Sequence, residues 1–141
     1  MYFSRVIGYW CLAYILGMIF DLLGSFSEIS TNISYLIHLY ASLFTIILFI
    51  FFSYYWTKQA FKKLHYAVKN AAWTVGIIWV VLTIVSDLLF WHHIYGVEIK
   101  TLLRLYSLGE GNFRLLLLVV QIFAPRIIAG IKVRIYRKGR I

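Results

Sequence analysis

Four ionisable side chains interrupt stretches that are otherwise apolar: Asp21, His38, Asp87 and Arg114. An ionisable group inside a membrane span costs roughly 2.5–3.5 kcal/mol on insertion scales, so each needs a partner, a route to the surface or a task. Three chemistries can be built from the set. Carboxylates with an imidazole can line a path for protons or cations. Carboxylate and imidazole, with His38 joined by His92 or His93, also suit a divalent ion or a haem. Adjacent His92 and His93, however, point about 100° apart on a helix and cannot both chelate inward. The third chemistry is structural: a buried Asp–Arg pair fixes helix order, or the groups reach water and headgroups near an interface. The residue types favour the structural reading, and no metal or cofactor is expected.

A second locus is Gln121, Pro125 and Arg126. Pro125 removes a backbone donor, so a kink is expected there, with a carbonyl freed near Gln121. A helix break flanked by Gln and Arg also resembles the substrate sites of transporters with interrupted helices; an ordinary proline kink is the simpler expectation. Arg126 lies about 120° around the helix from Arg114 and close enough to the inner surface to snorkel. No Ser/His/Asp, Cys/His or metal-ligand motif stands at helical spacing, so catalysis is not expected. Cys11 is the single cysteine, which excludes an intrachain disulfide and a thiol redox pair.

These residues must be positioned by membrane helices. Hydrophobic residues form 62% of the chain and charged ones 13%, about half the soluble norm of roughly 25%. Four segments (6–24, 33–56, 72–91 and 113–131) reach the roughly 20 residues that cross a 30 Å hydrocarbon core. Runs this long satisfy their backbones as helices rather than barrel strands. The expected fold is all-α: a single integral membrane domain over 1–141, an antiparallel bundle of four transmembrane helices. The first segment is expected to be a mature helix and not a signal peptide, since Asp21 interrupts its end and no small-x-small cleavage site follows.

Charge sets the orientation. All five acidic residues fall on one side of these spans, and all but three of the 14 basic residues (Lys100, Arg104 and Arg114) on the other. Lys and Arg in short loops stay cytoplasmic. The connector 57–70 holds Lys58, Lys62, Lys63 and Lys69, and the tail 132–141 carries Lys132, Arg134, Arg137, Lys138 and Arg140. Both termini are therefore expected in the cytoplasm of a multi-pass protein of the cell membrane. The net charge of +9 is assigned to anionic lipids at the basic loop and tail, not to nucleic acid. Two connectors look interfacial: 58–69, with Phe61, Leu64 and Val68 between lysines, and 97–108, with Ile99, Leu102, Leu103 and Tyr106 at helical spacing. The sequon Asn32-Ile33-Ser34 abuts a helix end and reads as a chance match. Tyr54, Tyr55, Trp56, Trp73 and Trp91 are placed for interfacial belts, whereas Trp10 and Trp79 lie deeper.

The third segment contains Gly76-x-x-Trp79 and then Asp87-Leu88-Leu89-Phe90, after an aromatic-rich second segment. Over residues 45–91 this resembles a diffuse set of small four-helix membrane proteins of bacteria and archaea that have no assigned activity. The resemblance implies the four-helix fold and no chemistry; Ala124-Pro125-Arg126 is not part of its pattern. Residues 8–23 and 76–89 also echo one another, each with a Gly, a nearby Trp and a closing Asp-Leu-Leu, as a parallel repeat would. The expected function is a non-enzymatic accessory or assembly component of a membrane complex, associating with copies of itself or with a membrane protein partner. The alternative is a small oligomeric transporter or channel for an ion or small solute.

Overall fold

A computed structural model describes residues 2–26, 31–104, 106 and 114–139, which are helical but for short turns and contain no strand. The helices are α1 (Tyr2–Phe26), α2 (Thr31–Leu64), α3 (Val68–Asp87), the short α4 (Ile99–Arg104) and α5 (Arg114–Lys138). A 3-10 turn, His65–Ala67, joins α2 to α3, and a π-helical turn, Leu88–Ile94, extends α3. Three helical stretches are long and apolar enough to cross a membrane: Phe3–Leu23, Leu39–Ile94 and Arg114–Lys138.

The middle stretch, 56 residues long, doubles back on itself. His65 adopts φ 45°, a left-handed conformation that ends a right-handed helix. Side-chain bonds give the directions. Arg5 donates to Gln59 at 2.8 Å and Phe20 stacks on Phe44, so α1 and α2 are antiparallel. Trp79, Trp10 and Tyr14 bond across from α1 to α3 or back, each over a separation of 73 residues, so α1 and α3 are parallel. Gln121 bonds Thr83, and Arg114 bonds Asp87, so α5 runs antiparallel to α3. Around the bundle the order is α1, α2, α5, α3, with α1 and α5 in the least contact across one diagonal.

The loop expected at 57–70 is mostly helix. No Gly or Pro interrupts Tyr54–Leu64, and the buried stripe of α2 simply continues through Phe49, Ser53, Trp56 and Ala60, all 3% exposed or less. Phe61 and Val68, expected against the inner leaflet, are buried in the protein core instead. Trp56, expected in an interfacial belt, is buried with them, while Tyr54, Tyr55 and Trp73 are exposed. With 34 residues, α2 is about 51 Å long and overshoots a hydrocarbon core of about 30 Å. Likewise the tail beyond 131 is helical to Lys138, with Val133 buried. Among the described residues of 97–108 the helix is α4, where Leu102 is buried and Ile99 and Leu103 are exposed.

Helices approach most closely where side chains vanish. A Cβ on Gly76 would lie 2.7 Å from the Ile122 carbonyl oxygen and 2.9 Å from that of Gln121. The latter carbonyl is the one whose helical donor Pro125 lacks. Despite Pro125, α5 is continuous from Arg114 to Lys138. Around the outside, Leu12, Ile19, Ile47, Val81, Phe123 and Ile131 are exposed, and only 28% of each apolar window is buried within the protein. Such a surface needs an apolar solvent, which water is not.

Candidate functional site

At the end of α3, Asp87 is 2% exposed and faces three other elements. Tyr14 of α1 donates to Oδ1 at 2.7 Å, and Tyr106, beyond α4, donates to Oδ2 at 2.6 Å. Arg114, the first residue of α5, grips the same carboxylate side-on, with Nη2 to Oδ1 at 2.5 Å and Nε to Oδ2 at 3.0 Å. A carboxylate offers about four acceptor positions, and here four donors occupy them. The Asp–Arg pair expected from the sequence is thus formed, and two phenols complete it. Burial and the neighbouring Asp87 charge push the Tyr106 phenol above its ordinary range.

One turn further along α3, Thr83 is fully buried and its Oγ1 accepts from Trp10 Nε1 at 2.9 Å and from Gln121 Nε2 at 2.8 Å. A turn beyond, the buried Trp79 donates Nε1 to the Val6 carbonyl at 2.9 Å. Trp79, Thr83 and Asp87 follow one another at helical i, i+4, i+8 spacing, so a single face of α3 carries a polar seam. Gln121, fully buried, leaves its Oε1 without a hydrogen-bond partner. Such an atom costs roughly 1–3 kcal/mol.

Beside the Asp87 cluster lies a cleft of about 30 Å³, with Tyr14, Gly17, Asp21, Thr45, Trp91 and Arg114 among its lining residues. That is room for about one water. Asp21 and Arg114 both line this cleft. The side chain of His38 lies outside the described residues. His92 is turned away: its Nδ1 lies 2.8 Å from the Val97 carbonyl, and since a carbonyl only accepts, that nitrogen carries the proton. Together with Gly96 at φ 66°, this closes the turn after the π-helical segment. Among the described residues no cluster of His, Cys, Asp or Glu could hold a metal ion. Arg126 is apart from the cluster, its guanidinium 5.9 Å from the Trp73 ring centroid.

Tyr106 was legible only as one apolar position of an amphipathic stretch, because its bond to Asp87 depends on how the chain folds back after Gly96. Tyr14 and Trp10 share a face with Asp21 in the sequence, yet they bond α3 rather than one another's neighbours. No family model, curated protein or solved structure matches this chain. The resemblance through Gly76-x-x-Trp79 therefore stands on those residues alone.

Proposed function

We propose that this chain is a non-enzymatic component of a cell-membrane complex, built as four membrane crossings and held together by the Asp87 cluster. The hairpin reversal at His65 turns the 56-residue apolar stretch into two crossings. The ends near Arg5, Lys62 and Lys138 lie in the cytoplasm, by the positive-inside rule. The carrying observation is the saturation of Asp87: its four donors leave the carboxylate no free position for a travelling cation or a substrate. The adjoining cleft admits about one water, and the fully buried Thr83, Trp79 and Gln121 fill the space along α3 from it. A clamp of this kind serves architecture. The largely exposed apolar exterior supplies surface for lipid and for a partner's helices.

Affinity purification of the tagged full chain from its native membranes tests the proposal. A membrane protein recovered at fixed stoichiometry, retained by an Asp21→Asn variant, supports it. Ion or solute flux through vesicles reconstituted with this chain alone, abolished by Asp21→Asn in a protein that still folds, would sink it in favour of transport.

A further inference from the structure

At the basic end of the bundle, Tyr66, the start of α3 and the end of α5 line a groove of about 570 Å³ beside Gly130. Its cations are Lys69, Arg134 and Arg137, its apolar wall is Ile127, Ile131 and Val133, and no acidic residue lines it. Gly130 keeps it open: a Cβ there would meet only Lys69 Cε, at 4.0 Å. Tyr66 stands at the groove with the Arg137 guanidinium 5.9 Å from its ring centroid. One turn deeper on α5, Arg126 has a buried Nη1 with no hydrogen-bond partner. Donors of that kind at membrane depth require an acceptor.

We infer that this groove is a binding site for the phosphate headgroup of an anionic phospholipid, a reading that rests on the four-crossing topology proposed above. Three cations beside an aliphatic wall match an amphiphile whose charged and apolar parts adjoin. A second copy of this chain would present the same positive charge and be repelled. The phosphodiester sits among Lys69, Arg134 and Arg137, the upper part of an acyl chain runs along Ile127 and Ile131, and oxygens near the glycerol face Arg126. Basic pockets between helices on the cytoplasmic side bind anionic headgroups for this electrostatic reason, with each charge worth about five-fold in affinity.

Native mass spectrometry of the detergent-purified full chain tests the site, with phosphatidylglycerol, phosphatidylcholine of the same acyl chains and inorganic phosphate as probes. Retention of phosphatidylglycerol but not phosphatidylcholine, undisturbed by phosphate, is expected. Lys69→Gln with Arg134→Gln should weaken it roughly thirty-fold, while the charge-matched pair Lys58→Gln with Lys132→Gln, on the other flank of α5, leaves it intact. Gly130→Leu fills the groove without changing charge and should also abolish retention, with circular dichroism confirming that each variant is helical. Equal retention of both lipids, displacement by phosphate, or equal loss in the two charge pairs overturns the site. A thiol label on Lys62→Cys separates the two layers. Labelling from inside with no lipid selectivity removes the site and keeps the topology; labelling from outside removes both.

Discussion

Replacing Asp87 by Asn keeps shape and removes charge, and the consequences can be worked through atom by atom. The amide oxygen can still accept from one side, for instance from Tyr14 and Arg114 Nη2 at Oδ1. The new NH₂ would then face the Tyr106 hydroxyl and Arg114 Nε, two groups that donate to Oδ2 in the native site. Hydrogen bonds between membrane helices average about 0.6 kcal/mol, so the four contacts together carry about 2.4 kcal/mol. Breaking a buried ion pair by removing one partner costs about 3–5 kcal/mol. The Arg114 side chain, 23% exposed, can swing toward headgroups, which places the expectation near the lower end, at about 3 kcal/mol. Unfolding titrations in mixed micelles, followed by circular dichroism, read this directly. Arg114→Gln should cost a similar amount. The double variant should cost about 3 kcal/mol rather than about 6, because the second change removes a group already orphaned. Two additive single effects, or an Asp87→Asn protein within about 0.5 kcal/mol of wild type, would refute the clamp.

Three further outcomes follow from neighbouring geometry. Gly76→Ala should destabilise by about 1–3 kcal/mol, since its methyl would meet backbone carbonyls that cannot rotate aside; cysteine cross-linking between α3 and α5 would report their separation. Gln121→Leu should change stability by less than about 1 kcal/mol in the same titration, because losing the Nε2 bond to Thr83 offsets removing an oxygen that already lacks a partner. The Tyr106 phenol is raised in the folded state, so the unfolded chain loses this proton first as pH climbs. Its contribution is therefore complete below about pH 10, the ordinary tyrosine value, and declines above it. Tyr106→Phe should lose one hydrogen bond at neutral pH and flatten the alkaline fall in stability measured between pH 9 and 11.

What the residues disclosed in advance divides by the range of the interaction. Apolar length located the helical stretches that are long and apolar enough to cross a membrane. A buried Asp–Arg pair was legible because Asp21, Asp87 and Arg114 stand at the ends of apolar stretches with opposite charges; which aspartate meets Arg114 was not. The end of α2 was not legible. Lysines at 58, 62 and 63 read as a loop on the membrane surface, whereas Trp56, Ala60 and Phe61 hold the same stretch against α1 and α5 as helix. Cationic side chains can stand outside such a helix and leave its inner face buried. A reversal was expected somewhere in 57–70, but not its place at His65, because nothing local to a histidine demands a left-handed φ. Trp10 and Thr83 escaped for the opposite reason. Each is an ordinary span residue, and only a separation of 73 positions makes them a donor and an acceptor.

That separation bears on biosynthesis. When α1 leaves the ribosome, the threonine and carboxylate that will receive its indole and phenol have not been made, and they follow 73 residues later. Asp87 in turn precedes its guanidinium counterion by 27 residues. A carboxylate released alone into lipid would incur the full insertion penalty. Under the four-crossing topology proposed above, α3 entering lipid ahead of α5 carries that penalty, roughly 2.5–3.5 kcal/mol at most, until Arg114 arrives to relieve it.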